Sequence, residues 1–329
     1  MQSQVVASAT RGVWIDQNCY LVQYLRALYP KIPPLLGYLP DKDGGVPPER
    51  SVPFDTLETA LAEAWMGGGN FIMALEARFH EDLLKGSANA VTAWRSVGRM
   101  SRWLRENAAI FGKPIQRNVT VLVENNGDSL EIANLGFRQN LSPTLMSAAS
   151  PPAPDPTRCL ELVAVGIETP DADRRRRILA NAQAGSILVV DAPGQGAWWR
   201  EAGLKHLRED PERDYYSLGK GQIVAYKEPV MDPSELALDM IDYITQKRRA
   251  ARVFNCNAAV VIAGDAILYI VNYGRVQDLP VLVRIQGSFT KATLLRPEAP
   301  PEPVKVSRRG SSSEATLPGL NRAAAVVFG

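Results

Sequence analysis

Along the first third of the chain, apolar positions alternate between strand-like runs and helical spacing. "GVWID" (Gly12–Asp16) predicts a short buried strand. "CYLVQYLRALYP" then carries apolar residues at helical intervals and stops at Pro30. "PPLLGYL" (Pro33–Leu39) predicts a second strand, "FDTLETALAEAWM" a helix that runs into Gly67–Gly69, and "NFIMAL" (Asn70–Leu75) a third strand. A long helix is predicted over about 87–109, with Trp94, Val97, Leu104 and Ala108 on one stripe and Gly112 and Pro114 as its stop signal. This order implies parallel strands joined by helical crossovers, as in a doubly wound sheet or a (β/α)8 barrel. A complete barrel takes roughly 250 residues, and about three units are visible here.

The middle third repeats the alternation. "NVTVLVEN" (Asn118–Asn125), "LELVAVGI" and "SILVVDA" (Ser186–Ala192) read as strands, with "QIVAYKE" (Gln222–Glu228) a later, more polar one. "SLEIANLGFRQNL" reads as a helix, and "SPPAPDPT" (Ser150–Thr157) is a proline-rich connector. A second helix opens near Pro170 with Asp171 and Asp173 in its first turn and ends before Gly185. A third spans 232–248, where Asp232, Pro233 and Glu235 make a capping-box arrangement. These elements predict a doubly wound domain of the flavodoxin type. After Arg252 the helical period is gone: "AAVVIA", "AILYIVNYG", "PVLVRIQG", "ATLLRP", "EATLPG" and "AAAVVFG" are short β-rich runs between turn residues, which predicts a β-sandwich.

Composition narrows the function classes. The 329 residues are 46% hydrophobic and 22% charged, as in an ordinary globular protein. No apolar run approaches the roughly 18 residues needed to cross a bilayer, and "MQSQVVASATRG" does not read as a secretory signal, so no membrane partner is expected and the compartment stays open. A net charge of +2 is too small to imply a nucleic-acid partner. The densest basic run, Arg174–Arg177, occupies successive helix positions that point around the whole circumference, which predicts a solvated surface rather than one basic face. Cys19, Cys159 and Cys256 lack metal-type spacing, and with only His80 and His206 no metal site is expected.

Phosphate-binding loops fare no better. Gly67–Gly69 follows a helix and precedes a strand, the reverse of a phosphate loop, and lacks Lys-Ser/Thr, so a helix cap is expected. "DAPGQGAWW" (Asp191–Trp199) follows a strand but lacks the third glycine of a dinucleotide fingerprint, and "LGKGQ" (Leu218–Gln222) reads as a turn. No cofactor is expected, although a nucleotide- or flavin-binding role for Asp191–Trp199 remains the weaker alternative. No serine lies in GxSxG, and Cys159 begins a strand instead of sitting on an elbow. What remains is a carboxylate pair. Asp16 ends the first strand and Glu76 follows the third, the edge where barrel enzymes place their chemistry, with Tyr38, Asp41 and Asp43 beside the middle strand as substrate-binding candidates. Two carboxyls about 5–9.5 Å apart would serve as acid and as base or nucleophile in glycoside hydrolysis. The plainer role for Asp16 and Glu76 is to cap helices or bind backbone amides.

Six stretches of the chain carry a family resemblance. "AEAWMGGGNFIMAL" is similar to the last helix and strand of a glycosidase barrel. "ILANAQAGSILVVDAPGQGAWW" and "YYSLGKGQIVAYKEPVMDPSELALDMIDYI" are similar to an amidotransferase-like middle domain, with Ser186 where the family has a second glycine. "LYIVNYG", "LLRPE" and "TLPGL" are similar to a closing β-domain. Taken in order, the chain resembles the C-terminal portion of a multidomain glycoside hydrolase of the β-galactosidase type. The resemblance implies a partial (β/α)-barrel-like region over 1–112, a flavodoxin-like, class I glutamine amidotransferase-like domain over 113–250 and a β-sandwich over 251–329. It implies carbohydrate as ligand and a homo-oligomer formed through the middle domain. The barrel's early units and the family's Asn-Glu strand end are not matched, so no catalytic residue carries over. The expectation is therefore a glycoside-hydrolase-related protein, truncated and inactive alone; the alternative is a non-catalytic oligomerisation or carbohydrate-binding module.

Overall fold

The computed structural model describes residues 7–8, 12–13, 17–37, 54–73, 77–111, 118–139, 141, 143–192, 196–230, 232–241, 251–256, 258–274 and 278–329. The chain is mixed α/β and divides into two compact units. One comprises residues 1–22, 31–114 and 251–329; the other comprises 23–30 and 115–250.

The first unit opens with β1 (Ala7–Ser8) and β2 (Gly12–Val13), paired antiparallel. The described part of the expected strand at Gly12–Asp16 thus lies in a two-stranded ribbon and not in a parallel sheet, because its partner is the segment immediately before it. Helix α1 (Cys19–Leu28) follows, then β3 (Leu35–Gly37), α2 (Phe54–Gly67) and β4 (Asn70–Ile72). β3 and β4 pair in parallel with Leu35 opposite Asn70, the β-α-β crossover that the pattern predicts. α3 (Ala77–Leu84), α4 (Ala88–Glu106) and α5 (Ala108–Phe111) complete this segment, with Asn107 ending α4 where one unbroken helix was expected. α4 buries Ala90, Ala93, Val97, Met100, Trp103 and Leu104. Trp94, expected on that stripe, is 44% exposed, because it sits one 100° step away from Ala93.

The second unit contains β5 (Val119–Val123), α6 (Gly127–Arg138), β6 (Thr144–Ser147), β7 (Glu161–Ala164), α7 (Ala172–Ala184) and β8 (Ile187–Val190). They are followed by β9 (Lys205–Glu209), β10 (Arg213–Leu218), β11 (Gly221–Tyr226) and α8 (Pro233–Ile241). The seven strands form one sheet in the order β6-β5-β7-β8-β11-β10-β9. The first five are parallel, so in chain order they run 2-1-3-4-5; β10 and β9 extend the sheet antiparallel. β5, β7 and β8 are buried at every position, as a parallel sheet covered on both faces requires. Leu122, Leu162, Leu188 and Ile223 share one core with Ile178 and Leu179 of α7.

Capping in this unit follows the sequence signals. Asp171 caps α7 by accepting from Asp173 N and Arg174 N, and Gly185 ends it at φ 130°. The arginine run is more engaged than the expected solvated surface. Arg174 pairs with Asp171 (3.0 Å), Arg175 donates to the carbonyls of Trp198 and Arg200, and Arg176 pairs with Asp173 (2.6 Å). Four successive positions point four ways, and neighbouring acceptors meet three of them.

The chain then returns to the first unit with β12 (Arg252–Phe254), β13 (Ala259–Gly264), β14 (Ile267–Asn272), β15 (Val281–Gln286) and β16 (Ala292–Arg296). β17 (Ala299–Val304), β18 (Val306–Arg309), β19 (Ser312–Leu317) and β20 (Ala323–Phe328) complete it. They make two antiparallel sheets, β12-β15-β19-β18 and β13-β14-β20-β16-β17. Alternate residues of both fill one core: Val261, Leu268, Ile270, Val281, Val283, Leu294, Leu317 and Val326. The intervening residues Val260, Ile262, Tyr269 and Ala325 are buried as well. On that reverse face, the Tyr269 hydroxyl donates to Ile110 O, and its ring lies 5.1 Å from Phe111.

Candidate functional site

The five positions that sequence favours for chemistry, Asp16, Tyr38, Asp41, Asp43 and Glu76, lie outside the described residues. Their anchors are described. Tyr38 directly follows β3, and Glu76 comes four positions after Ile72, the last residue of β4. Because the two strands are parallel, Gly37 and Ile72 end them at the same edge of the pair.

The glycines between α2 and β4 are a helix terminus. Gly69 N donates to Ala64 O (2.8 Å) and Gly68 N to Trp65 O (3.0 Å), with Gly68 at φ 81°, which is a Schellman cap. Gly69 is also a close approach: a Cβ there would lie 2.9 Å from Pro34 O and 2.9 Å from Val22 Cγ1. Asn70 N then donates to Pro34 O (2.8 Å), which starts the β3–β4 pairing. No phosphate cradle is present at this point, since the free amides of the turn serve the helix end.

Three residues after its midpoint, α2 carries a carboxylate that the sequence reading missed. Glu63 is 3% exposed. Its Oε2 accepts from Asn18 N (2.8 Å) and from the Tyr273 hydroxyl (2.7 Å), and its Oε1 accepts from Asn18 Nδ2 (2.9 Å). Cys19 completes the cluster: its Sγ lies 3.7 Å from Glu63 O and 3.3 Å from the Tyr273 hydroxyl. Burial raises the pKa of Glu63, and the hydrogen bonds from Asn18 and Tyr273 act in the opposite direction. Burial likewise pushes Cys19 and Tyr273 up, reinforced by the neighbouring Glu63. The signal was available, because Glu63 falls within the apolar arc of α2 between buried Ala62 and Ala64. The thiol is protonated and sealed, and the carboxylate is committed to three donors. The cluster ties the start of α1 to α2 and to the residue after β14.

In the second unit the C-terminal ends of β5 and β7 flank the point where strand order reverses, the usual ligand crevice of open α/β sheets. Its polar groups are already paired with one another. Asn126 accepts from Ser129 N (2.8 Å) at the start of α6 and donates from Nδ2 to Gly166 O (3.1 Å). Glu124 accepts from Glu168 N (2.8 Å), and both oxygens of Asp191 lie 3.3 Å from Gly166 N. Burial raises the pKa of Asp191, helped by the nearby charge of Asp128 and opposed by the bond from Gly166. The "DAPGQGAWW" loop therefore begins on an acid tied to its own backbone, with Trp199 Nε1 donating to Ala192 O (2.9 Å); its residues 193–195 lie outside the described residues. Carboxylates at this edge repel phosphate. "LGKGQ" is the β10–β11 hairpin turn, with Gly219 at φ 58°. Among the described residues no three His, Cys, Asp or Glu side chains gather as a metal site, and all three cysteines are buried free thiols.

No family model matches the chain. No curated protein matches it in sequence. Solved structures do match in fold. The alpha-L-fucosidase isoenzyme 2 from Paenibacillus thiaminolyticus aligns with 94% of this chain at TM-score 0.61 and 9% identity, over 62% of its own length. A β-galactosidase from Bacillus circulans sp. alkalophilus aligns with 94% at TM-score 0.58 and 10% identity, over 57% of its length. A GH42 β-galactosidase from G. stearothermophilus aligns with 94% at TM-score 0.57 and 12% identity, over 56% of its length. The chain thus spans between 56% and 62% of these neighbours, and what it shares with them is a glycoside-hydrolase-like fold.

Proposed function

We propose that this chain is a glycoside-hydrolase-related protein that does not hydrolyse glycosides alone and serves as an oligomerisation or carbohydrate-binding module. The reading assigns residues 1–112 to a barrel-derived α/β portion, 113–250 to a flavodoxin-like, class I glutamine amidotransferase-like domain and 251–329 to a β-sandwich. The 2-1-3-4-5 order of the parallel strands supports the middle assignment. The observation that carries the functional reading is the state of two acids whose pKa values are raised by burial, the buried Glu63 and the half-buried Asp191. Glu63 is bonded to Asn18 and Tyr273, and Asp191 to Gly166, so neither is free to protonate or attack a glycosidic bond. Edge strand β9, exposed along its whole length, supports homo-oligomer formation through the middle domain. Light scattering combined with aryl β-galactoside and α-fucoside assays tests this reading. An oligomer without turnover is the expected result; a monomer that turns over either glycoside would refute it.

A second reading rests on the shared edge from which β3 and β4 lead toward Tyr38, Asp41, Asp43 and Glu76. In that reading Asp16 and Glu76 are the carboxyl pair of a hydrolase and the three other residues contact the sugar. Glu76→Gln and Asp16→Asn would each abolish turnover while leaving the unfolding midpoint in place. Turnover unchanged in both variants eliminates the pair.

A further inference from the structure

The C-terminal half of α4 and the β16–β17 hairpin, both in the first unit, enclose a cleft of about 450 Å³. That volume falls within the roughly 300–1,000 Å³ of small-molecule sites. Its polar lining is unbalanced: three guanidiniums, Arg99, Arg102 and Arg296, face it with one carboxylate, Glu106. Arg99 donates to Ser96 Oγ (3.2 Å), and among the described residues no acid pairs with Arg99 or Arg102. Arg296 pairs through Nη2 with Glu302 (2.5 Å), while its Nε–H is buried without a hydrogen-bond partner among the described residues. A buried guanidinium N–H left unmatched costs free energy unless an acceptor reaches it. Three like charges around one hollow also repel one another until an anion enters. The remaining wall is apolar: Leu295 and Pro301 line one side, and Trp103 lies under the other, its ring braced edge-on by Phe111 at 5.3 Å.

We propose that this cleft binds an oxyanion, a carboxylate or a sulfate, carried on a small ring such as an acidic sugar. Arg102 and Arg99 present forked donors from successive turns of α4, Arg296 closes from the hairpin, and the apolar wall receives the face of the ring. The inference rests on the cleft's own residues and stands whether or not the chain hydrolyses glycosides.

Calorimetric titration of the full chain with glucuronate, glucose 6-sulfate, inorganic sulfate and glucose tests it. The two acidic sugars bind, weakening as salt is added; glucose does not bind, and inorganic sulfate binds more weakly because it leaves the apolar wall uncovered. Arg102→Gln lowers affinity for the acidic sugars about tenfold, the loss of one charge-assisted bond, and Arg102→Lys recovers only part of it. Arg102 is exposed, so the unfolding midpoint of these variants stays at the wild-type value. Equal binding of glucose and glucuronate, no binding of either acidic sugar, or unchanged affinity in both Arg102→Gln and Arg99→Gln overturns the proposal. Inorganic sulfate binding as tightly as glucose 6-sulfate overturns the assignment of a ring-bearing ligand.

Discussion

Glu63 and Asp191 are two acids with raised pKa values in two units, and they are held in different ways. Glu63 lies in the middle of a helix, away from any sheet edge, and takes donors from Asn18 and Tyr273, residues 45 and 210 positions away. Asp191 stands directly after β8, at the edge where open α/β proteins bind ligands, and is satisfied by Gly166 after the adjacent strand β7. The first acid joins segments that are remote in sequence; the second closes a crevice between neighbours. A raised pKa therefore marks structural ties in both units, and only the surroundings distinguish such a tie from a catalytic acid.

The comparison breaks most sharply if Glu63 is removed. Glu63→Ala leaves Asn18 and Tyr273 without their acceptor and is expected to cost about 3–4 kcal/mol. Hydrogen exchange read peptide by peptide should then quicken in residues 54–111 and 258–274 and stay unchanged in 119–226. Equal acceleration of both units would show that they unfold as one. The counterpart in the second unit is Gly221→Ala, whose Cβ would collide with the carbonyl oxygens of Ser186 and Ala182. It is expected to cost about 2–3 kcal/mol by overpacking, with fast exchange confined to 161–226. Tyr273→Phe removes one donor from Glu63 and keeps the ring, for an expected loss of about 1–2 kcal/mol in urea unfolding.

The smallest effect separates the two acids by pH. Burial raises both folded-state pKa values, so the folded chain holds these protons at pH values where the unfolded chain has released them. Their contribution is complete below the ordinary carboxylate range and is lost as the pH rises through the raised values. Glu63→Gln and Asp191→Asn should each flatten that decline, and Glu63→Gln should flatten it more because the side chain is more deeply buried. A decline that stays as steep in both variants would assign it to other groups.

Much of the fold was legible where local chemistry and burial agree. The caps of α7, the stop at Gly67–Gly69 and the mainly apolar, fully buried β5, β7 and β8 are each written in a few adjacent residues. Elements without that agreement were missed. β9 reads "KHLRE" and is exposed throughout, so it has no alternation to detect. β17 reads "APPEPV", a sequence that signals a break, and is tolerated because it forms a sheet edge. β6 and α3 are too short to show a period. The burial of Glu63 could be read from its place on α2, but its partners could not: Asn18, Glu63 and Tyr273 form no motif along the chain.

By itself the sequence determined the strand–helix alternation up to about residue 250, the β-rich segment after it, and the architectural role of the glycines, since periodicity, capping and turn chemistry act over a few residues. Only the tertiary structure decided that residues 251–329 share a compact unit with 31–114, that Glu63 is committed to Tyr273, and that three arginines from α4 and a hairpin line one cleft. Those outcomes depend on side chains meeting across large sequence separations, where burial strengthens each hydrogen bond and each unpaired charge. Local propensity does not encode such meetings.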